Sequence, residues 1–400
     1  MKKNRSLKNI IFLIETPLSE RDIIRFGIKT YLDYGFECFI YDFTTIYNRS
    51  YLSYKNSGDL MLDKTVIISN EIDLIKNVNK ISKNSIIISH IFPNNKNRTL
   101  FEILDGNSLV YGYVINGLIP FSLKSEPKYL NYLISTLKKP QKIFKVIKDL
   151  VLYKSIKYMH NPSFIMYAGL KAKDYYRFKP TLHTKLIKCN SFDYDNYLDL
   201  EEKNESRVIS EDYIVFLDEY VPYHPDNLIN NIQPNCNPET YYIYLNNYFN
   251  KIEKEFNTSI IIAAHPRSEY KKIGNKFDGR KIIINKTNNL VKFSKFVIAH
   301  SSTSLSYAAL YGKYINIIYS SDYSKHFKNV ISLISNELKI NPIEISKFYK
   351  TNINTEIKDV FFSFTKNNND QYISNYIREN ETPKIKTANI FINFLKNNEI

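Results

Sequence analysis

The strongest constraint on this 400-residue chain is an alternation of short apolar, β-branched runs with stretches of helical period. It starts at once. Asn9–Glu15 (NIIFLIE) is an apolar run stopped by Thr16-Pro17, so it reads as a buried strand. Ser19 to Tyr34 carries apolar residues at helical spacing and stops at Gly35, a residue suited to a helix C-terminus. Phe36–Tyr41 returns to a strand. A β-α-β opening predicts a parallel sheet with right-handed crossovers. Thr65–Ser69, Ser85–His90, Leu109–Ile115 and Ser163–Tyr167 continue the strands, and Leu186 to Leu198 reads as the last strand of this half with its exit.

Residues 199–210 are polar with little periodicity and read as a linker. The pattern then restarts. Tyr213–Leu217 is a strand, Pro238 to Phe256 a long helix, and Ser259–Ala264 and Lys281–Ile284 are strands. Asn289–Phe293 is a short helix, Phe296–Ala299 a strand, Thr303 to Tyr311 a helix closed by Gly312, and Tyr314–Ile318 a strand. Residues 325–400 read as mostly helical. The expected architecture is α/β: a Rossmann-like domain over 1–198, a linker over 199–210, and a second Rossmann-like domain over 211–400, facing the first across a cleft. Ligands of open parallel sheets bind beyond the carboxyl ends of the strands, which directs attention to strand-end segments.

Composition removes several function classes. Hydrophobic residues make up 44% and charged residues 24%, as in a soluble globular protein. No apolar stretch of about 20 residues is present to span a membrane, and Ile10–Ile14 is too short for a signal-peptide core. Cys38, Cys189 and Cys236 are odd in number, far apart and outside any CxxC pair, which argues against a disulfide framework or a zinc site. A cytoplasmic location is expected. Glycine-rich phosphate loops (GxGxxG, Walker), HExxH and GxSxG are all absent.

The net charge is +15, from 55 Lys+Arg against 40 Asp+Glu, and favours anionic partners. Lys138, Lys139, Lys142, Lys145, Lys148, Lys154 and Lys157 run beside an apolar stripe of Ile143, Ile147, Leu150 and Val151. Such a basic amphipathic helix either packs on the sheet as a solvated outer helix or lies on the inner face of the membrane. Nucleic acid is not an expected partner, because the lysines are dispersed and no recognition motif is present.

Three strand ends in the second half carry candidate chemistry. Ile260–Ala264 delivers His265-Pro266-Arg267: a His that can donate to a phosphate oxygen or a ribose, a Pro that fixes the exit, and an Arg that can grip a diphosphate with two N–H bonds. Phe296–Ala299 ends in His300-Ser301-Ser302-Thr303-Ser304 before a helix. Free amides, the positive helix end and four hydroxyl groups suit a phosphate; simple capping by Ser302 or Thr303 explains one hydroxyl only. Tyr213–Leu217 ends in Asp218-Glu219-Tyr220 and then Pro222 to Asp226 (PYHPD), where a carboxylate can serve as general base or hold a sugar hydroxyl. In the first half Ser19 is a natural N-cap and Glu20 and Asp22 suit the first helical turn, which leaves Glu15, Arg21 and Arg25 as cleft candidates. Asp193 and Asp195 sit where the first domain hands over to the second, either in the cleft or forming a turn.

Asp218-Glu219, His265-Pro266 and Ser301-Ser302-Thr303 resemble, in order, the acidic pair, HP motif and Ser-Ser/Thr motif of bacterial sialyltransferases and polysialyltransferases of the GT-B type. The resemblance covers mainly residues 213–320, and Tyr220 stands where those families have Gly. It implies a metal-independent glycosyltransferase of surface polysaccharide synthesis. The resemblance carries over a nucleotide-binding role for His265, Ser302 and Thr303; from their positions Pro266, Arg267, His300, Ser301 and Ser304 join them, with Asp218, Glu219, Asp193 and Glu15 as catalytic candidates. The implied partners are a nucleotide-sugar, for which the resemblance offers a CMP link, used as substrate with no bound cofactor, and an oligosaccharide or lipid-linked glycan acceptor. Two alternatives stand beside it. A polyol-phosphate polymerase of the cell envelope would use the same phosphate-binding groups; a non-catalytic scaffold of an envelope assembly complex would need neither His265 nor Ser302.

Overall fold

A computed structural model describes residues 7–53, 63–120, 160–350 and 369–397. The described residues divide into two units, each with its own parallel sheet. The first unit draws on Met1–Asn116, Ser122–Asn190 and Glu381–Ile400, the second on Gly117–Phe121 and Ser191–Asn380.

The first sheet is built from β1 (Asn9–Ile14), β2 (Glu37–Asp42), β3 (Thr65–Ile67), β4 (Ser85–Ser89), β5 (Val110–Ile115), β6 (Phe164–Ala168) and β7 (Lys185–Cys189). Its order is β3-β2-β1-β4-β5-β6-β7. The second sheet is built from β8 (Tyr213–Leu217), β9 (Ser259–Ala264), β10 (Ile282–Ile284), β11 (Phe296–Ala299), β12 (Tyr314–Tyr319) and β13 (Ile343–Glu344), in the order β10-β9-β8-β11-β12-β13. Every residue of β4, β6 and β8 is buried. Strands covered on both faces favour near-continuous apolar runs over alternation, as in β6 and β8 and in the Ile86–Ile88 centre of β4. Among the described residues no helix is long and apolar enough to cross a membrane. The basic stretch 138–157 lies outside the described residues.

The expected linker is not a linker. Residues 199–203 are the last turn of a helix, Phe192–Lys203, capped by Ser191. That helix belongs to the second unit, where Asn196 donates to the Tyr307 hydroxyl (3.1 Å) and Asn288 donates to the Asn196 carbonyl (2.8 Å). Beyond it Asn289 clasps the chain, accepting from the Val208 amide (3.2 Å) and donating to the Ser206 carbonyl (2.9 Å), and Ile209 is buried. The boundary therefore falls at Asn190/Ser191, and the expected domains 1–198 and 211–400 shift accordingly.

The second difference is at the C-terminus. The helix Thr387–Lys396 packs on the first unit, not the second. Asn190 donates to the carbonyls of Pro383 (3.0 Å) and Ile385 (2.7 Å), and the Thr387 hydroxyl donates to the Asn190 carbonyl (2.9 Å). Phe391 meets the rings of Phe164 (4.8 Å) and Tyr31 (6.5 Å). The same contact breaks the first predicted helix in two, Glu20–Arg25 and Ile28–Asp33. Between them Gly27 has φ +68 and lies so close to Ala388 that a Cβ on it would stand 2.7 Å from the Ala388 Cβ. Ser19 caps the first piece as expected, with Asp22 completing a capping box.

Gly27→Ala combines a left-handed backbone with an overlap against the C-terminal helix. It is expected to lower stability by about 3 kcal/mol, read as a reduced urea midpoint. A midpoint unchanged from the parent would contradict the packing of this helix on the first unit.

Candidate functional site

Parallel strands end on one edge, so strand order decides which loops meet. In the second unit β9 and β11 flank β8, and the topological switch point lies between β8 and β11. Asp218-Glu219 follows β8 directly, His265-Pro266-Arg267 follows β9, and His300 to Ser304 follows β11. The HPR and HSSTS tips thus share an edge. They do not converge directly: the tip of β8 stands between them, at two strand spacings or about 10 Å.

The middle tip ties the other two together. Asp218 is 4% exposed and reaches toward β9, accepting from the Tyr220 amide (2.9 Å), the Tyr270 hydroxyl (2.8 Å) and the His265 amide. Glu219 reaches toward β11, accepting from the Ser301 amide (2.7 Å) and the Ser301 hydroxyl (2.9 Å). Tyr220, buried at φ +53, takes the left-handed conformation that turns the chain immediately after the pair. Burial pushes the Asp218 carboxyl up to about 6 against the pull of its three donors. Burial, with a smaller push from Asp218, takes Glu219 up to about 7 against its two bonds from Ser301. A carboxyl poised near neutrality can take or give a proton.

The HSSTS segment divides its roles in a way its sequence does not announce. His300 is fully buried; its Nδ1 donates to the Ile318 carbonyl (2.8 Å) and its Nε2 accepts from the Tyr241 hydroxyl (3.3 Å). Burial pushes it down to about 4, so it is a neutral core histidine and not a phosphate ligand. Ser301 gives its amide and hydroxyl to Glu219, so a carboxylate of the protein already fills the seat expected for a phosphate. The Ser302 hydroxyl accepts from the Ser304 amide (3.2 Å), a local turn before the helix Leu305–Leu310. Ser304 takes the N-cap position without a side-chain bond, and the Thr303 side chain is exposed.

On the other flank His265 Nδ1 accepts from the Arg267 amide (3.2 Å), and Arg267 pairs with Asp226 (2.8 Å) across an exposed Pro266. The partner loop after β8 also brings His224, whose ring centroid is 5.0 Å from that of His265. His224 and Asp226 lie in the PYHPD segment, and the repeated His-Pro pair marks His224; nothing local in the sequence marks Tyr270.

Asp193 and Asp195 occupy the first turn of Phe192–Lys203, where the helix dipole favours acids. Asp193 lies near enough to help raise the Tyr372 phenol, which burial raises first. Glu15, Arg21 and Arg25 belong to the first unit. There Glu15 follows β1 at that sheet's own switch point, beside β4. Burial raises its carboxyl, while Arg177 and Lys96 oppose the rise. His90, at the end of β4, stacks on Phe26 at 3.7 Å, and its Nε2 is buried without a hydrogen-bond partner. Among the described residues no group of three His, Cys, Asp or Glu is arranged to hold a metal ion.

No protein-family model matches the chain, and no curated protein matches it either. Solved structures do. UDP-GlcNAc 2-epimerase of Methanocaldococcus jannaschii, solved with UDP-GlcNAc and UDP, is 13% identical over 97% of this chain and 99% of its own, with a TM-score of 0.50. S. aureus MnaA, in its co-structure with UDP, is 13% identical over 98% of this chain and 97% of its own, also with a TM-score of 0.50. The likeness is one of fold: the chain has the two-sheet α/β fold of the GT-B class, and nothing in it singles out the sialyltransferase type.

Raised carboxyl pKa values stabilise the folded state only while the groups are protonated. That contribution is complete below about pH 4, the unfolded range, and is lost as pH climbs through about 6 for Asp218 and about 7 for Glu219. Denaturation midpoints of the parent should carry this fall, and Glu219→Gln, which does not ionise, should show a shallower slope. Parallel curves for the two proteins would refute the assignment.

Proposed function

We propose that the chain is an enzyme acting on a nucleotide-activated sugar, and specifically a glycosyltransferase of bacterial surface polysaccharide. The observation that carries this is the carboxyl edge of the second sheet, where Glu219, raised to about 7, stands one strand away from the His265-Pro266-Arg267 turn. An acceptor hydroxyl attacks the anomeric carbon, the bond from that carbon to the leaving phosphate oxygen breaks, and the hydroxyl proton passes to the Glu219 carboxylate. The negative charge goes to the departing nucleotide, where His265 and Arg267 stabilise it by hydrogen bonds and charge. Ser302 and Thr303, beyond the Glu219–Ser301 contact, contribute further donors. Asp218, held by Tyr270 and two amides, keeps the tips of β8 and β9 in register. The fold shared with proteins solved with UDP-GlcNAc or UDP supports a uridine nucleotide at this edge. The acceptor in this reading is an oligosaccharide or a lipid-linked glycan.

A second reading keeps the nucleotide-sugar and changes the reaction. The M. jannaschii protein of the same fold is an epimerase, and a carboxyl titrating near neutrality also suits removal and return of a carbon-bound proton. The two readings separate on acceptor dependence.

Calorimetry with UDP, GDP and CMP is the first test. The parent is expected to bind UDP, and His265→Ala to weaken it about tenfold, or about 1.4 kcal/mol. No binding of any of the three would end both readings. With UDP-sugars, turnover only when a glycan acceptor is added supports the transferase; inversion of a sugar carbon without acceptor supports the epimerase.

A further inference from the structure

The tripeptide His-Pro-X occurs twice at the carboxyl edge of the second sheet, and the function above uses only one copy. His224-Pro225-Asp226 follows the single turn Val221–Tyr223 after β8; His265-Pro266-Arg267 follows β9, the neighbouring strand. We propose that the two turns act as one clamp, in which His224 and His265 each donate an Nε2–H bond to a single phosphoryl group of the anionic substrate. This rests on the reading that the edge receives a nucleotide's phosphates, and it adds His224 and Asp226 to that site.

The local geometry is the same in both copies. The imidazole Nδ1 accepts from the amide two residues later, at 3.3 Å in His224 and 3.2 Å in His265. A nitrogen whose lone pair accepts a hydrogen bond carries no proton, so each neutral ring is protonated on Nε2. Both rings are therefore fixed as Nε2 donors. Burial lowers the His224 pKa, and Arg267 lowers it further against the opposing charge of Asp226, which keeps the ring in this neutral form. The His224 side chain still has 27% of its surface exposed, so solvent-borne ligands reach it.

The two turns are also joined. Asp226, the X of the first, accepts from Arg267, the X of the second, at 2.8 Å. This ion pair spans the two loops, and the two rings lie 5.0 Å apart between centroids, with planes at 59°. Rings at that separation and tilt suit one group that offers acceptor oxygens on two sides, as a phosphoryl group does. Two imidazoles and a carboxylate are also the usual makings of a metal site, but here the carboxylate is already paired with a guanidinium. Asp226 is thus a positioning residue, acting through Arg267 and the ring spacing.

The test uses the full chain, labelled with 15N-histidine, titrated with inorganic pyrophosphate and separately with UDP. The Nε2 signals of His224 and His265 are expected to move together with one binding curve. His224→Ala should weaken pyrophosphate about tenfold, and His224→Gln, whose side-chain amide places an N–H near the former Nε2, should recover most of that loss. Shifts at both rings with pyrophosphate but no binding of UDP would keep the clamp and overturn the nucleotide reading. Binding that moves only His265, with His224→Ala as tight as the parent, would overturn the clamp and leave the nucleotide reading intact. Failure of the parent to bind pyrophosphate would overturn the clamp outright.

Discussion

The bidentate bond between Glu219 and Ser301 holds the functional edge together. It joins the tips of β8 and β11 across the switch point, while Asp218, one residue earlier, ties the tip of β8 to that of β9. Two consecutive carboxyls thus fasten three loops. The arrangement costs desolvation, since both groups are raised by burial, and it offsets that cost with five hydrogen bonds from fixed donors. What results is an edge whose geometry is set before any ligand arrives, and preorganisation of this kind is what an electrostatic site requires. The same bond changes the meaning of the serine-rich segment. Its first hydroxyl serves the protein's own anion, while two imidazoles and a guanidinium gather at the tips of β8 and β9.

Most of the fold was legible because a doubly covered parallel strand leaves few residue choices. Tyr213–Leu217, Ser259–Ala264 and Phe296–Ala299 are apolar on both faces, and both the runs and their ends coincide with β8, β9 and β11. The long helix expected over Pro238 to Phe256 has those bounds, with Asn237 as its cap and Pro238 in its first turn. These are local signals. The domain boundary was not local: Asp199 to Lys203 look polar enough for a linker, and only contacts of Asn196 and Asn289 with residues about 80 to 110 positions away show that the segment is packed. The return of Thr387–Lys396 to the first sheet was invisible for the same reason.

The loops at the carboxyl edge of the second sheet were legible in the sequence; the directions of their side chains were not. Strand-end position picked out Asp218, Glu219 and His265, because strand ends follow from the strands. The side-chain directions did not follow. His300 and Ser301 are neighbours in a polar string, yet one faces the core and accepts from Tyr241 while the other faces Glu219. Which way each points depends on residues 59 and 82 positions away, so no spacing rule reveals it.

The chain crosses between its units several times, and its last helix completes the first unit. Synthesis runs from the amino end, so a ribosome that has finished β1 to β7 has not finished that unit. Tyr31 and Phe164 wait for Phe391, and until it emerges their apolar faces stand open. The second unit, contained within Gly117–Phe121 and Ser191–Asn380, is complete first. The core of the first unit is thus closed by a contact between segments more than 200 positions apart, a long-range pairing whose loop-closure entropy must be met before its burial is gained.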